Sequence, residues 1–233
     1  METITFKDGS IYEGEILNGK PNGKGKTTFT GGMIYEGDFV NGEMTGKGIM
    51  YCHNNAVYEG DFVDGNFNGK GKYTFEDGTV YEGDFVNDNF NGRGKRTSEG
   101  GSVYEGDFVD GKMHGKGKWT SGDGDVYEGD YVESRKHGKG KMTYANGDVY
   151  EGDFADGVPN GYGKLIFKDG AIHEGNIKNG EFYGKGKFTE IDGKIFDCNY
   201  INGKPEFDEE YYNSLEGDVS KEEVEQLLKI LNG

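Results

Sequence analysis

The sequence predicts an all-β repeat protein: an elongated single-layer antiparallel sheet of about nine stacked 23-residue hairpin repeats, with a short C-terminal α-helix capping one end. The first observation is a tyrosine that recurs every 23 residues without insertion. The series comprises Tyr12, Tyr35, Tyr58, Tyr81, Tyr104, Tyr127 and Tyr150, and it continues in altered form at His173 and Phe196. A fixed period of this length indicates a repeat architecture.

Composition is the second observation. The chain contains 44 glycines, and tyrosine and phenylalanine together number 31, while apolar residues make up only 32%. Abundant glycine and aromatic residues suit short twisted strands joined by tight turns. Glycines spaced two residues apart would weaken any helix, and the repeats show no helical apolar period. These features favour strands throughout the array.

Each repeat contains two strand-like runs, at positions 1–6 and 12–18 when the tyrosine is position 1. Polar and glycine-rich segments separate the runs, which is the pattern of a β-hairpin. A leading strand at Thr3–Phe6, eight hairpins and a closing strand at Phe196–Ile201 give a predicted total of 18 strands. The repeat array is predicted to span residues 1–203.

One face of the predicted sheet carries rings and glycines. Side chains alternate across a strand, so Tyr81, Gly83 and Phe85 share a face. We expect Phe85 opposite Gly92 and Gly83 opposite Gly94 in the partner strand. The glycines would leave room for the rings, since a side chain there would collide with them.

The other face is predicted to carry paired charges. The same register places Glu82 opposite Lys95 and Asp84 opposite Arg93, and nearly every repeat gives the same opposite charges. Cross-strand pairs of this kind each contribute about 0.2–1 kcal/mol. The repeated acids are therefore structural in this interpretation.

Twist and curvature should fold the aromatic face into a groove. Aromatic concave surfaces are typical of binding sites. The predicted partner-binding groove consists of Tyr35, Phe39, Tyr58, Phe62, Tyr81, Phe85, Tyr104, Phe108, Trp119, Tyr127, Tyr131, Tyr150 and Phe154. The alternative is that the rings fill the groove and pack on one another. A second apolar stripe along one edge is predicted from position 10, at Met44, Phe67, Phe90, Met113 and Phe182.

The unit Tyr-Glu-Gly-Asp-Phe followed by Gly-Lys-Gly-Lys, at a period of 23, resembles the MORN (membrane occupation and recognition nexus) repeat. The resemblance covers about residues 3–203. It implies an elongated antiparallel sheet of stacked hairpins and a role as scaffold or adaptor at cytoskeletal or membrane-linked structures. No MORN repeat is itself known as an enzyme, so the resemblance implies a non-enzymatic protein.

Residues 204–233 are predicted to form an acidic C-terminal cap. Residues 205–233 contain nine acids and two bases. Ser220 with Glu223 forms a capping box, and Val224, Leu227, Leu228 and Leu231 share one face, which predicts an amphipathic helix at 221–231. This helix either covers the open end of the sheet or binds a partner.

Charge and cysteine content exclude several classes of protein. A net charge of −17 disfavours binding to nucleic acid and to anionic membranes. Met1–Ile4 does not read as a signal peptide, and no apolar run approaches the roughly 20 residues of a membrane span. Two cysteines, Cys52 and Cys198, are too few for a disulfide scaffold. We expect a cytoplasmic protein that associates with the cytoskeleton or with membranes.

No catalytic, metal or cofactor site is expected. The Gly-Lys-Gly-Lys runs lack the spacing of a phosphate-binding loop, and no helix follows them. Asp123 and Asp125 begin a calcium-loop pattern that Tyr127 and Gly129 break. His114 and His137 lie two strands apart, roughly 10 Å, which is too far for one metal.

Three functional hypotheses follow from these observations. The first is a scaffold that binds a protein or peptide in the aromatic groove. The second is phosphoinositide or phospholipid binding, for which Arg135 and Lys136 are the candidate anion contacts. The third is a homodimer formed through the exposed edge of the leading strand. Specificity is expected where the copies differ, including Trp119 and His173.

Overall fold

The computed structural model describes residues 2–208 and Tyr211. Regular structure in this part of the chain consists of 19 strands. In chain order they are β1 (Glu2–Thr5), β2 (Ile11–Leu17), β3 (Lys20–Thr28), β4 (Ile34–Val40), β5 (Glu43–Tyr51), β6 (Val57–Val63), β7 (Asn66–Thr74), β8 (Val80–Val86), β9 (Asn89–Thr97), β10 (Val103–Val109), β11 (Lys112–Thr120), β12 (Val126–Val132), β13 (Arg135–Thr143), β14 (Val149–Ala155), β15 (Val158–Ile166), β16 (Ile172–Lys178), β17 (Glu181–Thr189), β18 (Ile195–Ile201) and β19 (Lys204–Phe207).

The chain forms two compact units, one ending at Arg135 and the other beginning at Lys136. In the first unit, β1 to β12 each pair antiparallel with their neighbours in sequence. In the second unit, β13 to β19 pair in the same way. The predicted all-β architecture of antiparallel repeat hairpins is confirmed.

Two details of the predicted strand order differ. The leading strand is Glu2–Thr5, and the described residues contain 19 strands where 18 were predicted. The additional strand is β19, which pairs with β18 through Ile201 and Lys204 at a tight turn. The predicted helix at 221–231 lies outside the described residues.

The turn inside each hairpin is shorter than the sequence suggested. Asn87 and Asp88 both have positive φ angles, 46° and 67°, and Val86 pairs with Asn89 directly across the turn. Two successive residues with positive φ form the turn type that matches the twist of antiparallel strands. The second strand of the repeat therefore starts at position 9, where the sequence predicted position 12.

A bulge separates the two halves of the five repeat hairpins from β2–β3 to β10–β11. In the fourth repeat Gly83 pairs with Gly94, but Phe85 pairs with Phe90. The expected pairing of Phe85 with Gly92 is therefore wrong within the hairpin. Gly92 has a φ of +68°, and a Cβ there would lie 2.9 Å from Asp84 Oδ2. The backbone N–H of Arg93 donates to that same oxygen at 3.1 Å, which satisfies a donor that the bulge removes from the ladder.

The tyrosine at position 1 lies flat over the glycines at positions 3 and 14. A Cβ added to Gly94 would lie 2.5 Å from Tyr81 Cε2, and one added to Gly83 would lie 2.6 Å from the Tyr81 hydroxyl. The packing reason proposed for the paired glycines is confirmed. In the repeats of the first unit the tyrosine hydroxyl donates to the backbone carbonyl at position 4, as in Tyr58 to Asp61 at 2.8 Å.

The charge ladder joins successive repeats. Glu82 pairs in register with Lys95, as expected, but its ion pair, at 3.4 Å, is with Lys72 of the preceding repeat. Asp84 is likewise bound by Lys70 of the preceding repeat, at 2.6 Å. The bulge moves the position 4 acid out of line with position 13 of its own hairpin. The ladder therefore connects hairpins to one another, in addition to any support within each hairpin.

Candidate functional site

The rings predicted to line a groove are mostly the core of the sheet. In the first unit Tyr35, Tyr58, Tyr81 and Tyr127 are fully buried. The remaining position 1 and position 5 rings of the predicted groove are also buried, namely Phe39, Phe62, Phe85, Tyr104, Phe108 and Tyr131 in the first unit and Tyr150 and Phe154 in the second. This burial supports the alternative interpretation, that these rings pack on one another.

Edge-to-face contacts connect the buried rings from repeat to repeat. Tyr58 contacts Phe62 of its own repeat at 5.1 Å and Phe85 of the next at 4.9 Å between ring centroids. Tyr81 makes the same contacts with Phe85 and Phe108. Edge-to-face pairs at these distances contribute about 0.5–1.5 kcal/mol beyond burial. The ring series thus stabilises the stacking of repeats.

Burial also raises the pKa of the buried tyrosines. Desolvation is the largest cause for Tyr35 and Tyr104, with the nearby acid at position 4 adding to it, and the pKa of each rises to about 12. For Tyr58 and Tyr81 the pKa is raised for the same reasons. These phenols are therefore neutral hydrogen-bond donors at physiological pH.

An outer layer of side chains covers the buried rings. Because the second strand starts at position 9, the residue at position 10 faces the rings, and where it is phenylalanine, in the third and fourth repeats, it stacks on the tyrosine. Phe67 stacks on Tyr58 with centroids 3.8 Å apart, and Phe90 stacks on Tyr81 at 3.9 Å. The apolar stripe predicted from position 10 is therefore part of the aromatic face itself.

The most continuous part of this layer is an outer aromatic patch in the first unit, formed by Phe67, Tyr73, Phe75 and Phe90. All four side chains are partly exposed. Tyr73 contacts Phe75 at 4.7 Å, and Phe90 lies 6.3 Å from Tyr73 and 6.0 Å from Phe75. Of the predicted groove residues, Trp119 alone is in this outer layer, partly exposed and in register with Tyr104 and Tyr127.

Arg96 is a charged member of this layer in the first unit. It occupies position 16 between Tyr81 and Tyr104 in register, and its guanidinium carbon lies 6.0 Å from the centre of the Phe75 ring. The sequence prediction did not include Tyr73, Phe75 or Arg96 in the groove. The signal that identifies them is variation at positions 16 and 18, where the otherwise regular repeats differ from one another.

The opposite face presents paired charges. Lys47 and Asp61 lie 2.6 Å apart, and Asp61 Oδ2 also accepts the backbone N–H of Lys70 at 3.0 Å. These interactions, with the Lys47 hydrogen bond the largest, lower the pKa of Asp61. A shallow trough of about 740 Å³ runs over this face in the first unit and is lined by four lysines, two glutamates, Ile49 and the glycines between them. Each of its four lysines forms an ion pair with an acid of the next repeat, as Lys24 does with Asp38 at 2.6 Å.

The predicted anion contacts differ in their surroundings. Arg135 is exposed, at the start of β13. Lys136 is half-buried, occupies the position of Phe67 and Phe90, and has its amine 3.6 Å from the sulfur of Met142. Lys136 thus acts as part of the outer layer over the aromatic face.

The second unit has an altered ring arrangement at its last repeats. His173 replaces the tyrosine, and the ring above Gly186 is instead that of Tyr200, whose Cε2 would lie 2.5 Å from an added Cβ. The Tyr200 hydroxyl donates to the carbonyl of Lys187 at 3.0 Å. His173 is surrounded by Phe167, Phe182, Phe188 and Tyr200.

Across residues 2–208 and Tyr211, no group of three or more histidine, cysteine or acidic side chains is arranged to hold a metal ion. Among the same residues no helix has the length and apolar character that crossing a membrane requires. Cys52 is partly buried and Cys198 is buried, and both are free thiols.

Comparison with protein families gives seven consecutive matches to the MORN repeat, each 23 residues long. The matched segments are residues 12–34, 35–57, 58–80, 81–103, 104–126, 127–149 and 150–172. The predicted count of about nine repeats is therefore not reproduced by the family match, which ends before the altered copies at His173 and Phe196. No curated protein sequence matches the chain.

Solved structures with a similar fold include a domain of a Danio rerio protein. The wild-type TCP10 domain of Danio rerio CPAP is 13% identical, with a TM-score of 0.52, and the alignment covers 89% of this chain and 98% of that domain. The same domain in complex with a peptide of Danio rerio STIL gives 13% identity, a TM-score of 0.46, and coverage of 85% and 93%. At this identity the likeness concerns the fold.

Proposed function

Because this chain belongs to the MORN repeat family, we propose that it is a non-enzymatic scaffold or adaptor that binds a peptide segment of a partner protein on its outer aromatic patch. The observation that carries the proposal is the layer formed by Phe67, Tyr73, Phe75 and Phe90. These rings are partly exposed and lie on a fully buried aromatic core. Rigid aromatic side chains held in this way are typical of binding hot spots.

The choice of face rests on what each face offers a partner. On the charged face, lysines and acids are already bound to one another, as in the Lys70–Asp84 pair at 2.6 Å. Exposed ion pairs contribute little free energy, so a partner that exchanged them for its own ion pairs would gain little affinity. The outer aromatic patch offers apolar area that remains in contact with water, and its burial is favourable at about 25 cal/mol per Å².

A peptide is the proposed class of partner. The TCP10 domain of Danio rerio CPAP, which has a similar fold, has been solved in complex with a peptide of Danio rerio STIL. We extend the peptide class to this chain and propose that it links partners at cytoskeletal or membrane-associated structures in the cytoplasm.

The proposal is tested by selecting binders from a displayed random peptide library on the full-length chain. The matched variant combines Tyr73→Thr with Phe75→Ser, because Thr27 and Ser98 occupy the same repeat positions in other copies. Peptides enriched on the wild type and lost on this variant support the proposal. No enrichment on the wild type, or equal binding to the variant, contradicts it.

Phospholipid binding is the alternative function, with Arg135 and Lys136 as contacts. Lys136 is half-buried with its amine at the Met142 sulfur, whereas Arg135 is exposed at the start of β13. Sedimentation with phosphatidylcholine vesicles, with and without phosphoinositide, tests this alternative. Salt-sensitive binding only to the phosphoinositide vesicles would favour lipid over peptide.

Self-association is proposed through the edge of β1. Within the described residues β1 pairs with β2 alone, which leaves one row of backbone donors and acceptors unpaired. A homodimer could form by pairing two such edges. Light scattering of the intact chain and of a chain lacking residues 1–10 tests this; a monomer in both cases excludes pairing at this edge.

A further inference from the structure

Arg96 is the one charged residue at position 16 in the repeats of the first unit. Position 16 in the first unit is occupied in chain order by Thr27, Met50, Tyr73, Arg96 and Trp119. These residues lie in the outer layer of the aromatic face, each in register with the position 1 tyrosines on either side. Arg96 is exposed and stands between Tyr73 and Trp119 in this row.

Arg96 forms no ion pair among residues 2–208, although the Asp77 carboxylate is near enough to interact with its charge. Asp77 is the nearby acid: its pKa is lowered, mainly by the backbone N–H of Thr79 and to a lesser extent by the charge of Arg96. The Asp77 carboxylate already accepts that N–H at 2.8 Å.

The surroundings of Arg96 favour a carboxylate partner. Its guanidinium lies over the edge of the outer aromatic patch, 6.0 Å from the centre of Phe75. A guanidinium binds carboxylates through two parallel hydrogen bonds, and stacking on a ring leaves the N–H groups at its rim free to do so. A peptide with apolar side chains for the patch would need one acid to match this charge.

We infer that the partner peptide carries a carboxylate for Arg96, flanked on both sides by apolar residues that bind near Tyr73 and Trp119. This inference rests on the proposed function and names its partner chemistry. Position 16 residues of successive repeats are two strands apart, about 10 Å. An extended peptide that crosses the strands rises about 3.3 Å per residue, so the spacing is three residues.

The predicted motif is therefore apolar-x-x-acid-x-x-apolar, with the acid aspartate or glutamate. A helical peptide would need about seven residues to span the same distance, at 1.5 Å per residue. The spacing found in bound peptides thus distinguishes an extended ligand from a helical one, and the inference commits to the extended form.

The test compares peptides selected from one displayed random library on three full-length proteins: wild type, Arg96→Met and Arg96→Glu. Methionine is the residue at position 16 in Met50 and Met142, so Arg96→Met is compatible with the repeat. We expect the acid to be enriched on the wild type, to be lost on Arg96→Met while the apolar positions remain, and to be replaced by lysine or arginine on Arg96→Glu.

Binding constants of the selected peptides complete the test. The wild-type consensus peptide should bind Arg96→Glu at least tenfold more weakly and regain affinity when its acid is changed to lysine. Peptides that lack an acid, or an acid preference that is unchanged on both variants, would overturn the inference while leaving the proposed function intact. Failure of all three proteins to select any peptide would instead contradict the proposed function.

Discussion

The ring of Phe67 stacks on the ring of Tyr58 with centroids 3.8 Å apart and planes inclined by 13°. This contact joins the two layers of the aromatic face. Tyr58 is fully buried and lies over its glycines, whereas Phe67 remains partly exposed. The rings that build the array and the rings that can bind a partner are therefore different residues of one repeat.

The stack of Phe67 on Tyr58 predicts that two substitutions of Phe67 lower the stability of the protein by different amounts. Phe67→Ala removes both the stacking contact and the cover of Tyr58, so it should lower the free energy of unfolding by about 2 kcal/mol or more. Phe67→Met should cost less, because Met44 and Met113 fill the same position in other repeats. Urea denaturation followed by circular dichroism measures both values. Equal decreases in the free energy of unfolding for the two variants would show that the side chain covering Tyr58 does not determine stability.

The glycine beneath a tyrosine should not tolerate a methyl group. In Gly94→Ala the new Cβ would lie 2.5 Å from Tyr81 Cε2, which forces the ring to move. Overpacking of this kind typically costs about 1–3 kcal/mol. Gly100→Ala is the control, since a Cβ at Gly100 meets no atom within 4 Å. A thermal melt should show a lower transition temperature for Gly94→Ala alone.

Acid should weaken the ladder between repeats. The pKa of Asp61 is lowered in the folded chain, mainly by the hydrogen bond from Lys47. Its contribution is therefore complete above the unfolded pKa, about 3.9, and is lost as pH falls through the lower folded pKa. Asp61→Asn should flatten the fall of the melting temperature between pH 5 and pH 2, about the range of carboxylate titration.

Glu59→Gln is the matched control for Asp61→Asn. Glu59 is exposed, two residues before Asp61, and on the same face of β6. Glu59→Gln should leave the decrease in melting temperature between about pH 5 and pH 2 close to that of the wild type. If both variants showed an equally reduced decrease in melting temperature over this pH range, the specific role of Asp61 would be contradicted.

His173 should give the second unit a separate sensitivity to mild acid. Burial among Phe167, Phe182, Phe188 and Tyr200 lowers its pKa. The unfolded chain thus binds the proton first, and stability is lost as pH falls from about 6.5 toward the folded pKa. The pKa of Tyr200 is raised, so no anion forms beside the imidazole. Replacing the imidazole by phenyl in His173→Phe should remove this loss.

Melting temperatures at pH 7.5 and pH 5.5 measure the effect of His173. Carboxylates titrate at lower pH, about 4, so they contribute little to the difference between these two values. The wild type should lose more stability over this interval than His173→Phe. An identical change in the two proteins would show that the imidazole is not the group responsible.

Much of the fold could be predicted because the repeat is regular. Alternation along the strands correctly placed Tyr81, Gly83 and Gly94 on one face, and the pairing of Glu82 with Lys95 held. The pairing of Phe85 could not be predicted from alternation. It depends on the left-handed backbone of Gly92 and on the Asp84 carboxylate that binds the Arg93 N–H, two local effects that act together.

The candidate site was only partly predictable for the same reason. Once the second strand begins at Asn89, Phe90 faces the rings and stacks on Tyr81, so the tyrosine becomes core. A prediction that starts the strand at Gly92 leaves Tyr81 uncovered and assigns binding to it. The exposed layer then consists of the residues that vary between repeats, such as Tyr73 and Arg96.

The central claim is that a partner peptide binds the outer aromatic patch and not the charged face. The most direct measurement is the dissociation constant of one selected peptide for two double variants of the full-length chain. Tyr73→Thr with Phe75→Ser alters the patch, and Val63→Ala with Val86→Ala alters the charged face, where both valines are 49% exposed. Alanine is tolerated at this position in the seventh repeat, as Ala155.

We predict that the patch variant binds the peptide at least tenfold more weakly than the wild type, while the charged-face variant binds it within twofold. Both variants should retain the far-ultraviolet circular dichroism of the wild type. A tenfold loss in the charged-face variant with unchanged binding to the patch variant would contradict the account.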